Sequence, residues 1–186
     1  MKRRDFLTSN VVLAGTAIAA ASQVNQEQLV AQEREGKAAR GRVRQSVMGW
    51  CFKPMDAVTL AQHCKRIGLE AIEGIPSNQY DAVTEIGLKI SLVSSHGFAK
   101  GPVDPKNHAE VEKKLRNGID LAVKYGVPNV ITFTGMSTVG ISDSAARKNC
   151  LDCWKRVIPY AEENKIGLVL EHLNSKDDSH PMKGHP

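Results

Sequence analysis

The chain has 186 residues, 41% of them hydrophobic and 24% charged, with a formal net charge of +5. That composition excludes collagen-like, low-complexity and largely disordered chains, and it suffices for one domain with a true core. The length falls short of the roughly 200–250 residues or more that a complete eight-unit α/β barrel uses.

The positive charge sits at the front. Residues 1–45 hold eight Lys/Arg and four Asp/Glu, which leaves 17 bases against 16 acids in the remaining 141 residues. A phosphate-tracking surface needs clustered surplus cations, and the near-neutral body offers none, so nucleic acid is not an expected partner. The first residues read instead as an export signal. Lys2-Arg3-Arg4-Asp5-Phe6-Leu7 matches the twin-arginine pattern, Val11–Ala21 is an uncharged and mostly apolar run, and Ala19-Ala20-Ala21 offers small residues for cleavage. The run is too short for a spanning helix, which needs about 20 apolar residues. Residues 1–21 are therefore expected to be a twin-arginine signal peptide, with the protein exported or periplasmic and without a stable membrane span. Residues 22–44, rich in Gln, Glu, Arg, Ala and Gly, read as a polar linker, and the folded domain as 45–186.

From Gln45 onward short apolar runs alternate with amphipathic stretches. Ser46–Phe52 predicts a strand. Ala57, Leu60, Ala61, Cys64 and Ile67 recur at spacings of three and four and predict a helix that stops at Gly68. Leu69–Ile75 predicts a second strand, Tyr80–Ile86 a short helix closed by Gly87, and Leu88–Ser95 a third strand. A Gly/Pro-rich loop, Gly97–His108, precedes a helix marked by Val111, Leu115, Ile119 and Ala122 and ended by Gly126. Val127–Thr134 predicts a fourth strand, the stripe from Ala146 to Ala161 a long helix, and Ile166–Leu173 a fifth strand. Asn174–Pro186 reads as a long loop after that strand.

This order predicts parallel strands joined by helical crossovers. An open doubly wound sheet and part of a (β/α)₈ barrel both satisfy it. The turn after the first strand, Cys51-Phe52-Lys53-Pro54-Met55-Asp56, has none of the glycines of a dinucleotide-binding loop, and no phosphate-binding P-loop is present.

In such barrels the functional groups stand at the carboxyl ends of strands. Glu171 follows Gly-Leu-Val-Leu, a run that looks buried on both faces, where a carboxylate must be paired, hydrogen-bonded or metal-bound. It reads as a metal ligand and proton-transfer base, or as half of a structural ion pair. His96 reads as a substrate-binding group or a hydrogen-bonded strand-end histidine. Glu73 reads as a pocket residue or a solvated acid beside Glu70. Trp50 reads as core packing, with a substrate platform as the alternative. Cys150-Leu-Asp-Cys153 lies within a helix with no second cysteine pair, so two packed helix residues explain it better than zinc or redox chemistry. His63 and His108 read as solvated, and His172 is expected to point away from Glu171, because successive strand residues face opposite sides.

With these pieces in place, the body resembles the hydroxypyruvate isomerase-like proteins of the xylose-isomerase-type sugar isomerase/epimerase superfamily. The resemblance is carried by Ser95-His96-Gly97, Pro128–Phe133, Gly167–Glu171, Leu173-Asn174-Ser175 and Met182–Pro186. It implies a TIM barrel of which about five βα units are present, and a divalent metal, Mg²⁺ or Mn²⁺ with Zn²⁺ as an alternative, held by four ligands. Glu171 matches the first ligand and one of two proton-transferring carboxylates. His96, Glu73 and Asn174 match substrate-binding positions. The other ligands of the family belong to later strands, so the chain is expected to be C-terminally truncated and inactive alone. The implied reaction interconverts hydroxypyruvate and tartronate semialdehyde, or a related sugar or sugar acid, through an enediolate.

A non-catalytic periplasmic sugar- or acid-binding domain, an abasic-site endonuclease-like member of the same superfamily, and an open-sheet protein complete at this length stay open as alternatives. A homo-oligomer is allowed but not indicated.

Overall fold

The computed structural model describes residues 43–177 and 179–185. The expected signal peptide, and the expected linker up to residue 42, lie outside the described residues. Five parallel strands alternate with helices. They are β1 (Ser46–Met48), α1 (Ala57–Arg66), β2 (Ala71–Glu73), α2 (Tyr80–Glu85), β3 (Lys89–Ile90), α3 (His108–Tyr125), β4 (Asn129–Phe133), α4 (Asp143–Glu163) and β5 (Gly167–Glu171).

Strand order decides between the two architectures. β1, β2 and β3 pair in sequence, β4 pairs with β5, and a parallel bridge between Val93 and Val130 joins the two groups. The order is therefore 1-2-3-4-5 without reversal. A doubly wound sheet reverses its order at a switch point, whereas a barrel adds each strand beside the last. The chain is an α/β arc of a (β/α)₈ barrel, and the open-sheet alternative falls on this observation.

Hydrophobic alternation places the core on the helix-facing side of the arc. In β4, Val130 and Thr132 are buried, while Asn129, Ile131 and Phe133 on the other face are only half-buried. Ile72 and Ile90 occupy the helix-facing side of β2 and β3. Against them pack Leu60 and Cys64 of α1, Leu115 and Ile119 of α3, and Val157 of α4, all buried. The helices begin and end as their chemistry dictates. Asp56 caps α1 by accepting from the Val58 and Thr59 N–H groups, Ser142 caps α4 through Ala145 N, and α3 ends in left-handed Gly126.

Several boundaries differ from expectation. The first strand stops at Met48, and Gly49–Phe52 forms a 3₁₀ turn, because β2 leaves the ladder at Gly74, whose φ of +64° ends the pairing at Met48 and Glu73. The third strand is reduced to Lys89–Ile90, with Val93 reaching β4 as a single bridge. The expected loop before α3 contains a 3₁₀ turn at Pro105–Asn107. His108 is neither in a loop nor solvated: it opens α3, is half-buried, and its ring is held between the Pro102 carbonyl at 2.8 Å and the Arg156 guanidinium at 2.7 Å. His63 is exposed on α1 beside Arg66. No helix among the described residues is long and apolar enough to cross a membrane.

Candidate active site

Parallel strands bring all five carboxyl ends to one side of the arc. The inner, concave face of the sheet opens there into a cleft of about 350 Å³. Every strand contributes to it: Met48 and Trp50 from β1 and its following turn, Ile75 after β2, Ser94 after β3, Ile131 and Phe133 from β4, and Glu171 from β5. A larger cavity, about 440 Å³, lies among Arg44, Ser46, Glu70 and Lys89 at the amino end of the strands. Ligands of α/β folds bind beyond the carboxyl ends, so the smaller cleft is the candidate site.

Glu171 is the last residue of β5 and pairs in register with Phe133, and both side chains face the cleft. It is exposed, which corrects the expectation of a strand buried on both faces. β5 pairs only with β4 among the described residues, and Val169 and Leu170 beside it are 37% and 38% exposed. The structural ion pair considered for Glu171 is absent: among the described residues its carboxylate has neither an ion-pair nor a hydrogen-bond partner. Lys53 and Ser94 border the same cleft, and neither was singled out from sequence. His172 faces away, toward Leu170 and His185 on the outer side of β5, as alternation requires.

Trp50 corrects a second expectation. It is 61% exposed rather than core, and it lines the cleft. Gly74 accounts for its position. A side chain at Gly74 would run into Met48 and would lie 3.0 Å from the Trp50 ring, so the bare glycine backbone lets both side chains settle against the end of β2.

The other expected site residues are spread out. Glu73 lies on the inner face, opposite Ile72, and its carboxylate accepts from the Ser46 hydroxyl at 3.2 Å and the Ser91 hydroxyl at 3.0 Å. Asn174 structures the loop after β5. Its side-chain oxygen accepts from the Lys176 and Asp177 N–H groups, its amide donates to the Asp177 carbonyl, and its backbone bridges to Lys183.

His96 is buried on the helix-facing side, within a hydrogen-bonded chain. Trp154 Nε1–H donates to Thr132 Oγ1 at 3.0 Å, and Thr132 Oγ1 lies 2.9 Å from His96 Nε2. The backbone N–H of Phe133 also donates to Nε2, so that nitrogen is an acceptor, and Nδ1–H donates to the Lys100 carbonyl at 3.2 Å. This network assigns the neutral Nδ1–H tautomer. Burial holds the imidazole pKa below its ordinary value, partly offset by the bond to Lys100. His96 reaches the cleft only through the Phe133 ring, which it meets edge-on at 5.9 Å.

The Cys150/Cys153 pair behaves as packing. Both thiols are free and buried, and burial together with Cys153 pushes Cys150 up to about 11. A hard divalent cation takes several oxygen ligands, and no group of three or more His, Cys, Asp or Glu that could hold an ion occurs among the described residues. Glu171 is a suitable donor, but the described residues do not make up the ligand set.

No family model matches the chain, and no curated protein is significantly similar to it. Solved structures are similar in fold. Over 74% of this chain and 59% of the other, it superposes on 3-keto-D-glucoside 4-epimerase from E. coli with a TM-score of 0.60 at 16% identity. D-allulose 3-epimerase from Methylomonas sp., solved with D-allulose, gives 0.55 at 20% identity over 73% and 53% of the chains. A xylose isomerase domain protein from Planctomyces limnophilus gives 0.52 at 12% over 70% and 54%. The chain thus has the xylose isomerase-like TIM-barrel fold and spans between half and two thirds of these structures' length.

Proposed function

We propose that this chain supplies part of a sugar isomerase or epimerase site in which Glu171 moves a proton on the carbon next to a carbonyl. The observation that carries the reading is Glu171 itself: a solvent-reachable carboxylate, without a partner among the described residues, at the carboxyl end of a parallel strand and facing a cleft.

The chemistry follows from the groups present. A carboxylate takes a proton from the carbon adjacent to a carbonyl, leaving an enediolate whose negative charge rests on oxygen. The Lys53 ammonium on the same cleft is a positive charge available to that oxygen. Return of the proton to the opposite face gives an epimer, and return to the neighbouring carbon gives an isomer. For hydroxypyruvate, loss of a C3 proton and protonation at C2 yields tartronate semialdehyde, the reaction implied by the resemblance to hydroxypyruvate isomerase-like proteins. The sugars named for the similar structures extend the same step to larger ketoses. Within this reading Glu73 and His96 support the cleft from within the sheet and from behind Phe133, Asn174 orders the loop beside Glu171, and the twin-arginine pattern at residues 2–7 directs the protein out of the cytoplasm. A divalent ion belongs to the resemblance and would need ligands besides Glu171.

A second reading, a binding domain without catalysis, is favoured by Glu171 being the sole carboxylate in the described lining. Proton exchange separates the two. Hydroxypyruvate or D-fructose is incubated in D₂O with an eight-unit barrel that includes this chain, and deuterium at the carbon next to the carbonyl is followed by NMR. The enzyme reading expects exchange that Glu171→Gln lowers by about 10²-fold or more. Exchange at the background rate in both proteins contradicts it and leaves the binding reading.

A further inference from the structure

The outer side of β5 carries a second cavity, of about 270 Å³, between that strand, α4 and the loop after β5. Its floor is apolar and buried. Val103, Ala146 and Cys150 form a small cluster there, apart from the main core. Leu151, Trp154 and Leu170 complete the apolar lining. Water inside such a lining finds few polar partners, so an apolar occupant is favoured. The volume lies just under the roughly 300–1,000 Å³ of common small-molecule sites, so that occupant is compact.

Four ionisable residues line the same cavity: Asp143, Arg147, His172 and His185. Two of them answer each other. His185 Nδ1–H donates to the Asp143 carboxylate at 2.8 Å, and its Nε2 accepts from the Thr138 N–H at 3.4 Å. Both ring nitrogens of His185 are therefore in use. Beside them the Ser137 N–H donates to the Lys183 carbonyl at 2.7 Å. These bonds tie the loop after β5 to α4 and to the loop before α4. The rim is thus set before anything binds, which lowers the cost of binding. Arg147 and His172 have no such engagement: neither makes a hydrogen bond or ion pair among the described residues. A guanidinium grips a carboxylate through paired N–H donors, and an imidazole offers at least one N–H in either protonation state. One guanidinium and one imidazole beside an already paired aspartate suit a single negative charge better than a phosphate dianion.

We infer that this cavity is a ligand site for a compact monocarboxylate with an apolar body, aryl or branched alkyl. The carboxylate sits between Arg147 and His172, and the body lies on the floor of Val103, Ala146 and Cys150. The site is separate from the Glu171 cleft. Leu170 and His172 bracket Glu171 along the chain, and alternation turns them to the opposite face. The inference uses no property of Glu171, and the occupant is bound rather than converted.

The test is ligand-observed saturation-transfer NMR with 3-phenylpropionate, on the 186-residue chain and on an eight-unit barrel that includes it. Both proteins are expected to bind the probe. Its neutral amide keeps the shape and loses the charge, and propionate keeps the charge and loses the ring; each is expected to bind about tenfold or more weakly. Arg147→Gln is expected to raise the Kd about tenfold, and Arg147→Lys, which keeps the charge, by less. Glu171→Gln is expected to leave it unchanged. Arg147 and His172 are exposed, so circular dichroism of the variants is expected to match the parent. If Arg147→Gln does not fold, His172→Gln takes its place, with a Kd raised about threefold or more. Binding to the barrel with these dependences upholds the inference. No binding to the barrel overturns it, and binding to the 186-residue chain alone would make the cavity a seat for the units that follow in a barrel. An amide bound as tightly as the acid, an unchanged Kd in Arg147→Gln, or a Kd moved by Glu171→Gln, which would put the probe in the cleft, overturns it equally.

Discussion

His96 shows how a single residue's role depends on what lies across the sheet. From sequence it is a histidine at a strand end, equally suited to a substrate or to a hydrogen bond. The structure puts Thr132 opposite it and Trp154 behind Thr132, so both ring nitrogens are occupied. The available signal was Thr132 itself, a hydroxyl on the buried face of β4 that had to find a partner; which partner could not be read from one dimension. Thr132→Val removes the shared hydroxyl and strands the Trp154 N–H, and is expected to cost about 1–3 kcal/mol in denaturant unfolding. The lowered pKa of His96 fixes the sign of a pH effect. The unfolded imidazole binds protons more readily than the folded one, so stability is complete above about pH 6.5 and declines as pH falls from there toward the folded pKa. NMR titration is expected to place His96 below an ordinary histidine; a normal or raised value contradicts the burial argument. The cysteines give a simpler check. Cys51 is exposed, while Cys64, Cys150 and Cys153 are buried, so a thiol reagent near pH 8 is expected to modify one cysteine rapidly in the native protein and all four in denaturant.

At the scale of elements, helices were more legible than strands. The stripe Val111, Leu115, Ile119 and Ala122 became the buried face of α3, and Gly126 its stop. Ser142 caps α4 by accepting from the Ala145 N–H. Strand extents were overestimated because apolar residues at a strand end also serve turns: Trp50 and Phe52 belong to a 3₁₀ turn, set by the departure of β2 at Gly74. β5 was misjudged for a different reason. Gly-Leu-Val-Leu-Glu is apolar on both faces, but burial needs neighbours on both faces, and the described residues supply a paired strand only on the β4 side. Leu115 is fully buried between α3 and the sheet, and Leu115→Ala is expected to destabilise by about 2–5 kcal/mol. Ser142→Ala is expected to lose about 1 kcal/mol through the missing cap. A Leu115 variant with unchanged unfolding would mean that α3 does not pack as described.

For the whole molecule, the uninterrupted strand order is the property from which the site follows. It curves the sheet, gathers five carboxyl ends on one side, and turns alternation within β4 and β5 into a cleft lined by Phe133 and Glu171. Alternating βα units were visible in the sequence, but they are equally compatible with a reversed order, which only pairing reveals. Among the described residues β5 pairs only with β4 and shows exposed apolar side chains, Val169 and Leu170, and an uncovered strand of that kind pairs with other chains unless charged. Val169→Lys is expected to reduce concentration-dependent association in analytical ultracentrifugation while leaving the circular dichroism unchanged. The central claim is that this cleft moves protons through Glu171. Deuterium incorporation beside the carbonyl of hydroxypyruvate or D-fructose, compared between an eight-unit barrel that includes this chain and its Glu171→Gln variant, tests it most directly. Exchange reduced by about 10²-fold or more in the variant is the expected result, and identical exchange in the two proteins would contradict it.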